Sequence, residues 1–220
     1  MSVVAVLPVK ELGRAKARLG ETGVGPAARV ALATGMLMDV MEALDRTRLV
    51  DDVVVVSSDP QVEVLARSYG NQVIPDDPAG GHSEAAQLGI EWAARDGAFH
   101  VLVLAGDTPA IDDGEIDTLL RRLADGPEVV IMPDRHGSGT NALLLTPPGV
   151  MTPSFGPGSR ERHERLAREA GADVRVSEVE SLLLDVDTAD DLEALAHGLA
   201  GAPRERAMHT RNAINSLRRG

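Results

Sequence analysis

The 220-residue chain has no cysteine and hardly any aromatic residues: one Trp, one Tyr and two Phe. Without thiols it forms neither disulfides nor thiolate metal sites, a composition that fits a reducing cytoplasm. Without aromatics it lacks the stacking platforms used on single-stranded nucleic acid. No apolar run approaches the roughly eighteen residues of a membrane span, and the first, "VVAVLPV", has no basic segment before it and soon meets Lys10. Secretion and membrane insertion are not expected, and the expected location is the cytoplasm. Positive charge is scarce as well: 22 Lys and Arg against 34 Asp and Glu leave a net charge of -12. The pI is near 4.9. Such a field repels a polyanion, so nucleic acid is not an expected partner. A small anionic ligand would need local cations or metal ions to offset the field.

What is present is a hydrophobic content of 43%, enough for one core in a chain of this length. Short β-branched runs alternate with stretches of helical spacing. "VVAVLPV" precedes "ARVALATGMLMDVMEAL", in which Val30, Leu37, Val40, Met41 and Leu44 share one face. "VVVVSS" precedes "PQVEVLARSYG"; "NQVIP" precedes a helix from about Ser83 to Arg95 that carries Trp92 toward the core. "VLVLAGD", "EVVIMPD", "ALLLT", "DVRVS" and "LLLDVD" read as further strands, with helices at "DDGEIDTLLRRLAD", "SRERHERLAREAG" and "TADDLEALAHGLA". Strands apolar throughout and alternating with helices predict an α/β fold: one domain over residues 1–200, its mostly parallel sheet sandwiched by helices. The adjacent "EVVIM" and "ALLL" locally break the alternation. Residues 201–220 turn basic and lose apolar periodicity, which predicts a flexible tail or a weakly packed terminal helix, a role in binding an acidic partner or anion being the alternative.

In such sheets ligands bind beyond the carboxyl ends of the strands, so the polar residues there are the ones to weigh. Lys10, Lys16 and Arg18 follow the first strand in "VKELGRAKARLG", which is not a Walker loop; they suit a triphosphate or simply a solvated basic loop. Asp107 ends an apolar strand, and Asp185 and Asp187 end "LLLDVD". Carboxylates so placed suit magnesium, or alternatively cap turns and helices, as Asp187 or Thr188 would for the last helix. In "PDRHGSGTNALLL" Gly137 and Gly139 would supply positive φ for a hairpin turn. The alternative is an anion loop in which Ser138, Thr140 and Asn141 donate hydrogen bonds. "SFGPGSRERH" repeats that chemistry, with Gly156, Gly158 and Ser159 at a helix amino terminus that favours phosphate. Ser83 reads as a helix N-cap or as a neighbour of a nucleotide base. His82, His136 and His163 lack metal-ligand spacing and read as surface or hydrogen-bonded structural residues.

Taken together and in order, "LPVKELGRAKARL", "AGDTPAI", "PDRHGSGTNALLL", "FGPGSRERH" and "DVDTADDL" resemble the guanylyltransferases of coenzyme F-420 biosynthesis, which act on phosphoenolpyruvate or 2-phospho-L-lactate. The resemblance runs from residue 3 to about residue 198. It implies the nucleotide-diphospho-sugar transferase fold, GT-A-like and Rossmann-like, and the transfer of GMP from GTP to the phosphate of a three-carbon phosphoacid with release of pyrophosphate. It further implies that Thr140, Gly156 and Ser159 bind the phosphoacid and that Asp107, Asp185 and Asp187 hold Mg2+. Lys10, Lys16, Arg18 and Ser83 would bind the nucleotide, with Lys16, Arg18 and Asp107 carrying catalysis. The chain departs from the family at "GGHSEAA", where many members have a leucine-asparagine pair that bears on base selection. Phosphoenolpyruvate is the expected acceptor, with 2-phospho-L-lactate and 3-phosphoglycerate as alternatives. A molybdenum-cofactor or sugar-phosphate nucleotidyltransferase and a non-catalytic GTP-binding paralogue are the rival readings, and a homodimer stays open as the assembly.

Overall fold

The computed structural model describes residues 2–21, 23–123 and 125–218. Every residue of β1 (Val3–Pro8) is buried, as its run of branched side chains favours on a pleated surface. Its side chains alternate between two cores. Val3, Ala5 and Leu7 join Leu102, Leu104 and Leu144 on one face; Val4 and Val6 join Val101, Val103 and Leu143 on the other. Around β1 lie β2 (Asp52–Val56), β3 (Gln72–Ile74), β4 (His100–Leu104), β5 (Glu128–Pro133), β6 (Thr140–Thr146) and β7 (Asp173–Val176). The strand order is β3-β2-β1-β4-β6-β5-β7. Only β6 runs against its neighbours, pairing antiparallel with both β4 and β5, so the local break expected at "EVVIM" and "ALLL" is a hairpin in an otherwise parallel sheet.

Helices cover both faces, as the buried strands require. Helices α2 (Pro26–Arg46), α3 (Pro60–Ser68) and α5 (Asp113–Leu120) pack on one side. Helices α4 (His82–Arg95) and α6 (Ser159–Glu169) pack on the other. The short α1 (Ala17–Gly20) follows β1, and α7 (Ala189–Gly198) and α8 (Met208–Leu217) close the chain. On α2 the residues Leu37, Val40, Met41 and Leu44 are buried and Val30 is half-buried, the face its spacing implies. Trp92 is half-buried on α4 against the second core. No helix among the described residues is long and apolar enough to cross a membrane.

One expected strand meets a different structure. "LLLDVD" pairs with no strand among the described residues: a 3-10 turn (Glu180–Leu182) leads into irregular backbone. Leu182 and Val186 are nevertheless fully buried, because the segment crosses the end of the sheet. There the Asn141 amide donates to the carbonyls of Leu182 and Leu183, and Val186 N donates to the Asp107 carbonyl. A short apolar run reports burial, and burial was reached here without a ladder.

At the C-terminus, where a flexible tail or a weakly packed terminal helix is expected, α8 lies packed on α2. Asp39 of α2, nearly buried, accepts hydrogen bonds from His209 N, Thr210 N and Thr210 Oγ1 at 3.0, 2.8 and 2.6 Å, capping α8 from another helix. Burial pushes the Asp39 carboxyl above its usual range, and those donors pull against the shift. Ile214 is buried beside Leu32 and Met36, a contact that contributes about 1.5–3 kcal/mol for a side chain of that size. The missed signal is the spacing of Ala207, Thr210, Ile214 and Leu217, helical but with few large apolar residues to reveal it.

Candidate active site

The carboxyl ends of β1 and β4 open on the same side of the sheet, since the two strands are parallel and adjacent. From the first comes Lys16, from the second Asp107. Lys16 takes a left-handed backbone conformation, φ 57°, that costs a non-glycine residue about 1 kcal/mol or more. The turn carries its ammonium into an acidic corner: Nζ lies 2.5 Å from Asp107 Oδ2 and 3.2 Å from Asp187 Oδ1. Arg18 adds a longer, exposed contact to Asp187 at 3.5 Å. Burial alone would lower the Lys16 pKa, but the charges and hydrogen bonds of Asp107 and Asp187 outweigh it and leave it raised. Asp185 completes the corner. Oxygens of Asp107, Asp185 and Asp187 lie within 4.8 Å of one another. Burial and the neighbouring Asp107 charge push the Asp185 carboxyl up, while Asn141 holds one of its oxygens at 3.3 Å.

Three hard oxygen donors at this spacing fit a divalent cation such as magnesium, which takes one or two carboxylates and completes its shell from water and phosphate. Asp107 caps no helix or turn, and the cap of α7 falls to Thr188, in a reciprocal box with Asp191. Asp187 is thereby left to Lys16 and Arg18.

Beside this corner a cavity of about 240 Å3 is lined by Lys10, Leu12, Lys16, Met36, His82 and Asp107, among others. Lys10 stands apart from the acidic corner and is held by Asp76 Oδ2 at 2.6 Å and the Gly80 carbonyl at 2.8 Å. Its partner Asp76 is almost wholly buried, and the other carboxylate oxygen, Oδ1, has no hydrogen-bond partner. Ser83, expected as an N-cap, lies within α4, whose cap is Gly81. Ser83 Oγ accepts a hydrogen bond from Phe155 N at 2.9 Å, so it faces the loop before α6. His82 lines the cavity in its place.

The second part of the site lies at the start of β6. Gly137 has the expected positive φ, 69°, but Gly139 does not. What Gly139 needs is space, because a Cβ there would lie 2.7 Å from Asp134 Oδ2. Asn141, expected to face an anion, is buried and braces Asp185 and the carbonyls of Leu182 and Leu183. Its neighbour Thr140 points to the other loop: Thr140 Oγ1 lies 3.2 Å from Ser159 Oγ and 3.0 Å from His163 Nδ1. Gly156 and Gly158 take φ values of 108° and 69°, letting the chain turn into the amino terminus of α6. The Arg162 guanidinium straps this turn through the carbonyls of Ser154, Phe155 and Pro157.

The structure thus gathers Lys16, Arg18, Asp107, Asp185 and Asp187 in one cluster and Thr140, Ser159 and the glycine turn in a second. Consecutive residues 140 and 141 join them. Sequence reasoning missed Asp76, the bracing role of Asn141 and the site role of His163. Only the last had a local signal, since His163 stands four residues after Ser159 and so shares its helix face.

Residues 3–215 match the protein-family model described as "Guanylyl transferase CofC like". A phosphoenolpyruvate guanylyltransferase of Conexibacter woesei is 48% identical over 223 residues, covering 100% of this chain and 98% of that protein. A 2-phospho-L-lactate guanylyltransferase of Methanothermobacter thermautotrophicus is 36% identical over 206 residues, covering 93% of this chain and 89% of that protein. Among solved structures, one described as a nucleotide-diphospho-sugar transferase from Desulfovibrio desulfuricans superposes with a TM-score of 0.78 at 19% identity, covering 100% and 96% of the two chains. A cytidylyltransferase from Leptospira borgpetersenii gives 0.64 at 16% identity, covering 100% and 96%. At such identities these structures establish the fold, which is that of the nucleotide-diphospho-sugar transferases and cytidylyltransferases.

Proposed function

The chain belongs to the CofC-like guanylyl transferase family, and from that premise we propose that it transfers GMP from GTP to the phosphate of phosphoenolpyruvate in coenzyme F-420 biosynthesis. It is a nucleotidyltransferase enzyme; the base, the acceptor and the metal are the parts that belong to this reading. The single observation that carries the site assignment is the junction at residues 140 and 141. Thr140 holds the acceptor loop through Ser159 while Asn141 holds Asp185 of the acidic corner, so one strand end fixes the distance between two anions.

Thr140, Ser159 and the backbone at Gly156 would bind the phosphoacid through the Thr140 hydroxyl and the amino end of α6, Ser159 acting through the hydrogen bond it gives Thr140. Lys16 and Arg18 would face the triphosphate, with Lys10 at the far wall of the cavity and Ser83 reaching the nucleotide only indirectly, through the loop at Phe155. Asp107, Asp185 and Asp187 would hold Mg2+, which supplies Lewis-acid charge compensation when bound. An oxygen of the acceptor phosphate forms a bond to the α-phosphorus of GTP, and the bond from that phosphorus to the β-phosphate oxygen breaks with its electron pair leaving on pyrophosphate. A phosphate monoester is largely ionised at neutral pH, its second pKa being about 6, so no general base is needed. The protein's work is alignment of two like-charged groups and compensation of the leaving charge, in which Lys16 is the buried cation nearest the acids. The acidic net charge is then no obstacle, because the site carries its own cations. The reading takes the chain to work in the cytoplasm on two small molecules, without nucleic acid or membrane.

Pyrophosphate release would be followed with GTP and magnesium and with phosphoenolpyruvate, 2-phospho-L-lactate and 3-phosphoglycerate in turn, ATP replacing GTP in a parallel set. Release with GTP and phosphoenolpyruvate supports the reading. Release only with 2-phospho-L-lactate, the substrate in the archaeal relative's name, moves the acceptor and keeps the reaction; silence with all three removes the reaction.

A further inference from the structure

His163 is wholly buried on α6, between the two loops that hold Thr140 and Ser154. Its Nε2 receives a hydrogen bond from Ser154 N at 2.8 Å. A backbone amide can only donate, so Nε2 must carry a lone pair. The proton of the neutral ring therefore sits on Nδ1, 3.0 Å from Thr140 Oγ1, and must be donated to that oxygen. The ring plane is held in turn by Phe155, whose edge meets it at 76° with centroids 5.1 Å apart.

A threonine hydroxyl has two lone pairs and one proton. One lone pair of Thr140 is filled by His163, and Ser159 Oγ lies at 3.2 Å to fill the other. What remains is the threonine's own hydrogen. We infer that His163 is a positioning residue for the acceptor: its Nδ1–H orders the Thr140 hydroxyl so that it meets the incoming phosphoacid as a donor. The inference rests on the assignment of Thr140 to the phosphoacid. A donor is the useful half of a hydroxyl when the partner is an anion, and a hydroxyl already filled as an acceptor loses no freedom when the anion arrives. Burial, with the Arg162 charge behind it, holds the imidazole neutral to about pH 4, so the donor is present throughout the neutral range.

Two substitutions separate the two bonds of the ring. In His163→Asn the amide NH2 sits where Nδ1 was and still donates to Thr140, whereas in His163→Gln the longer amide reaches toward Ser154 N and leaves Thr140 without its donor. Pyrophosphate release with GTP and varied phosphoenolpyruvate should show the phosphoenolpyruvate KM of His163→Gln raised about tenfold or more, as loss of one ordered hydrogen bond to an anion implies. His163→Asn should stay within about threefold of the parent, and the GTP KM should hold in both, the change expected for uniform acceptor binding alone. Nitrogen NMR of the full-length ligand-free parent protein, where no variant has to fold, should find a protonated, pyrrole-like Nδ1 and a pyridine-like Nε2 for His163. A proton on Nε2 overturns the inference, as do equal losses in the two variants or a loss shared by GTP. A parent that releases no pyrophosphate overturns the functional reading itself, an outcome distinct from an active parent with indifferent variants.

Discussion

Around Asp107 the side chains are held by charge: one buried ammonium serves two carboxylates, an exposed guanidinium serves one of them again, and a third carboxylate stands close by. The groups that touch Thr140 and His163 are neutral, a hydroxyl, an imidazole and a backbone amide, while the Arg162 guanidinium straps the glycine turn beside them. The difference matches the role that the proposed function gives each region. Charged contacts re-form around new partners, so on the proposed function Lys16 would exchange carboxylates for phosphate with a cation held by the acids. Neutral hydrogen bonds inside a packed helix face are directional and leave little to rearrange, which suits a cradle that must aim one small anion.

The comparison breaks first at Asp107. Asp107→Ala should lower turnover by about three orders of magnitude, the scale on which loss of a group compensating developing charge is felt. Its circular dichroism and melting should resemble the parent's, since Asp107 is partly exposed and caps nothing. Turnover near the parent's would remove Asp107 from the chemistry.

A second expectation concerns the neutral region alone. The unfolded His163 imidazole takes a proton near pH 6.5, whereas in the folded protein it does so only near 4. Between those values the unfolded chain binds more protons, so stability rises with pH and is lost as pH falls through that window, by about 3 kcal/mol in all for this group. His100, also buried and shifted downward by burial, adds to the same trend. Urea unfolding of the parent and of His163→Asn from pH 7 to 4 checks it: the variant should show the shallower slope, and equal slopes would detach His163 from the effect.

These two regions were not equally legible in the sequence. Asp107 and Asp187 announce themselves as acids at the ends of apolar runs, and the glycines before Ser159 mark a turn wherever the chain ends up. The sheet was legible for the same reason: β1, β2 and β4 are almost unbroken runs of branched residues. By contrast, the tie between Asn141 and Asp185 spans 44 residues, and that between Lys10 and Asp76 spans 66. No local pattern encodes a pairing that exists only once β3 and β6 have docked beside their neighbours. His163 was hidden differently: an isolated histidine among the charges of "SRERHERLARE" leaves surface and hydrogen-bonded structural roles open, and only its helix phase turns it inward. The packing of α8 was not legible because its anchor, Asp39, lies 170 residues away.

Smaller effects would sharpen the contrast. Thr140→Val should raise the phosphoenolpyruvate KM about tenfold with the GTP KM unchanged, because it deletes a donor to the acceptor. If the GTP constant alone rises, the two substrates are exchanged in this account. Arg18→Ala should raise the GTP KM only about threefold, and the effect should shrink in high salt, since its contact to Asp187 is long and exposed. An effect that survives high salt would mean that Arg18 is drawn into the site with substrate bound.

In the proposed reaction the acceptor's own phosphate oxygen attacks the α-phosphorus of GTP. Phosphoenolpyruvate carrying a heavy oxygen isotope in its phosphate, incubated with the protein, magnesium and unlabelled GTP, tests it by phosphorus NMR. Label is expected in the bridge of the new diphosphate, and none in the pyrophosphate. Label in the released pyrophosphate, or a diphosphate whose bridging oxygen came from GTP, would contradict the proposed reaction.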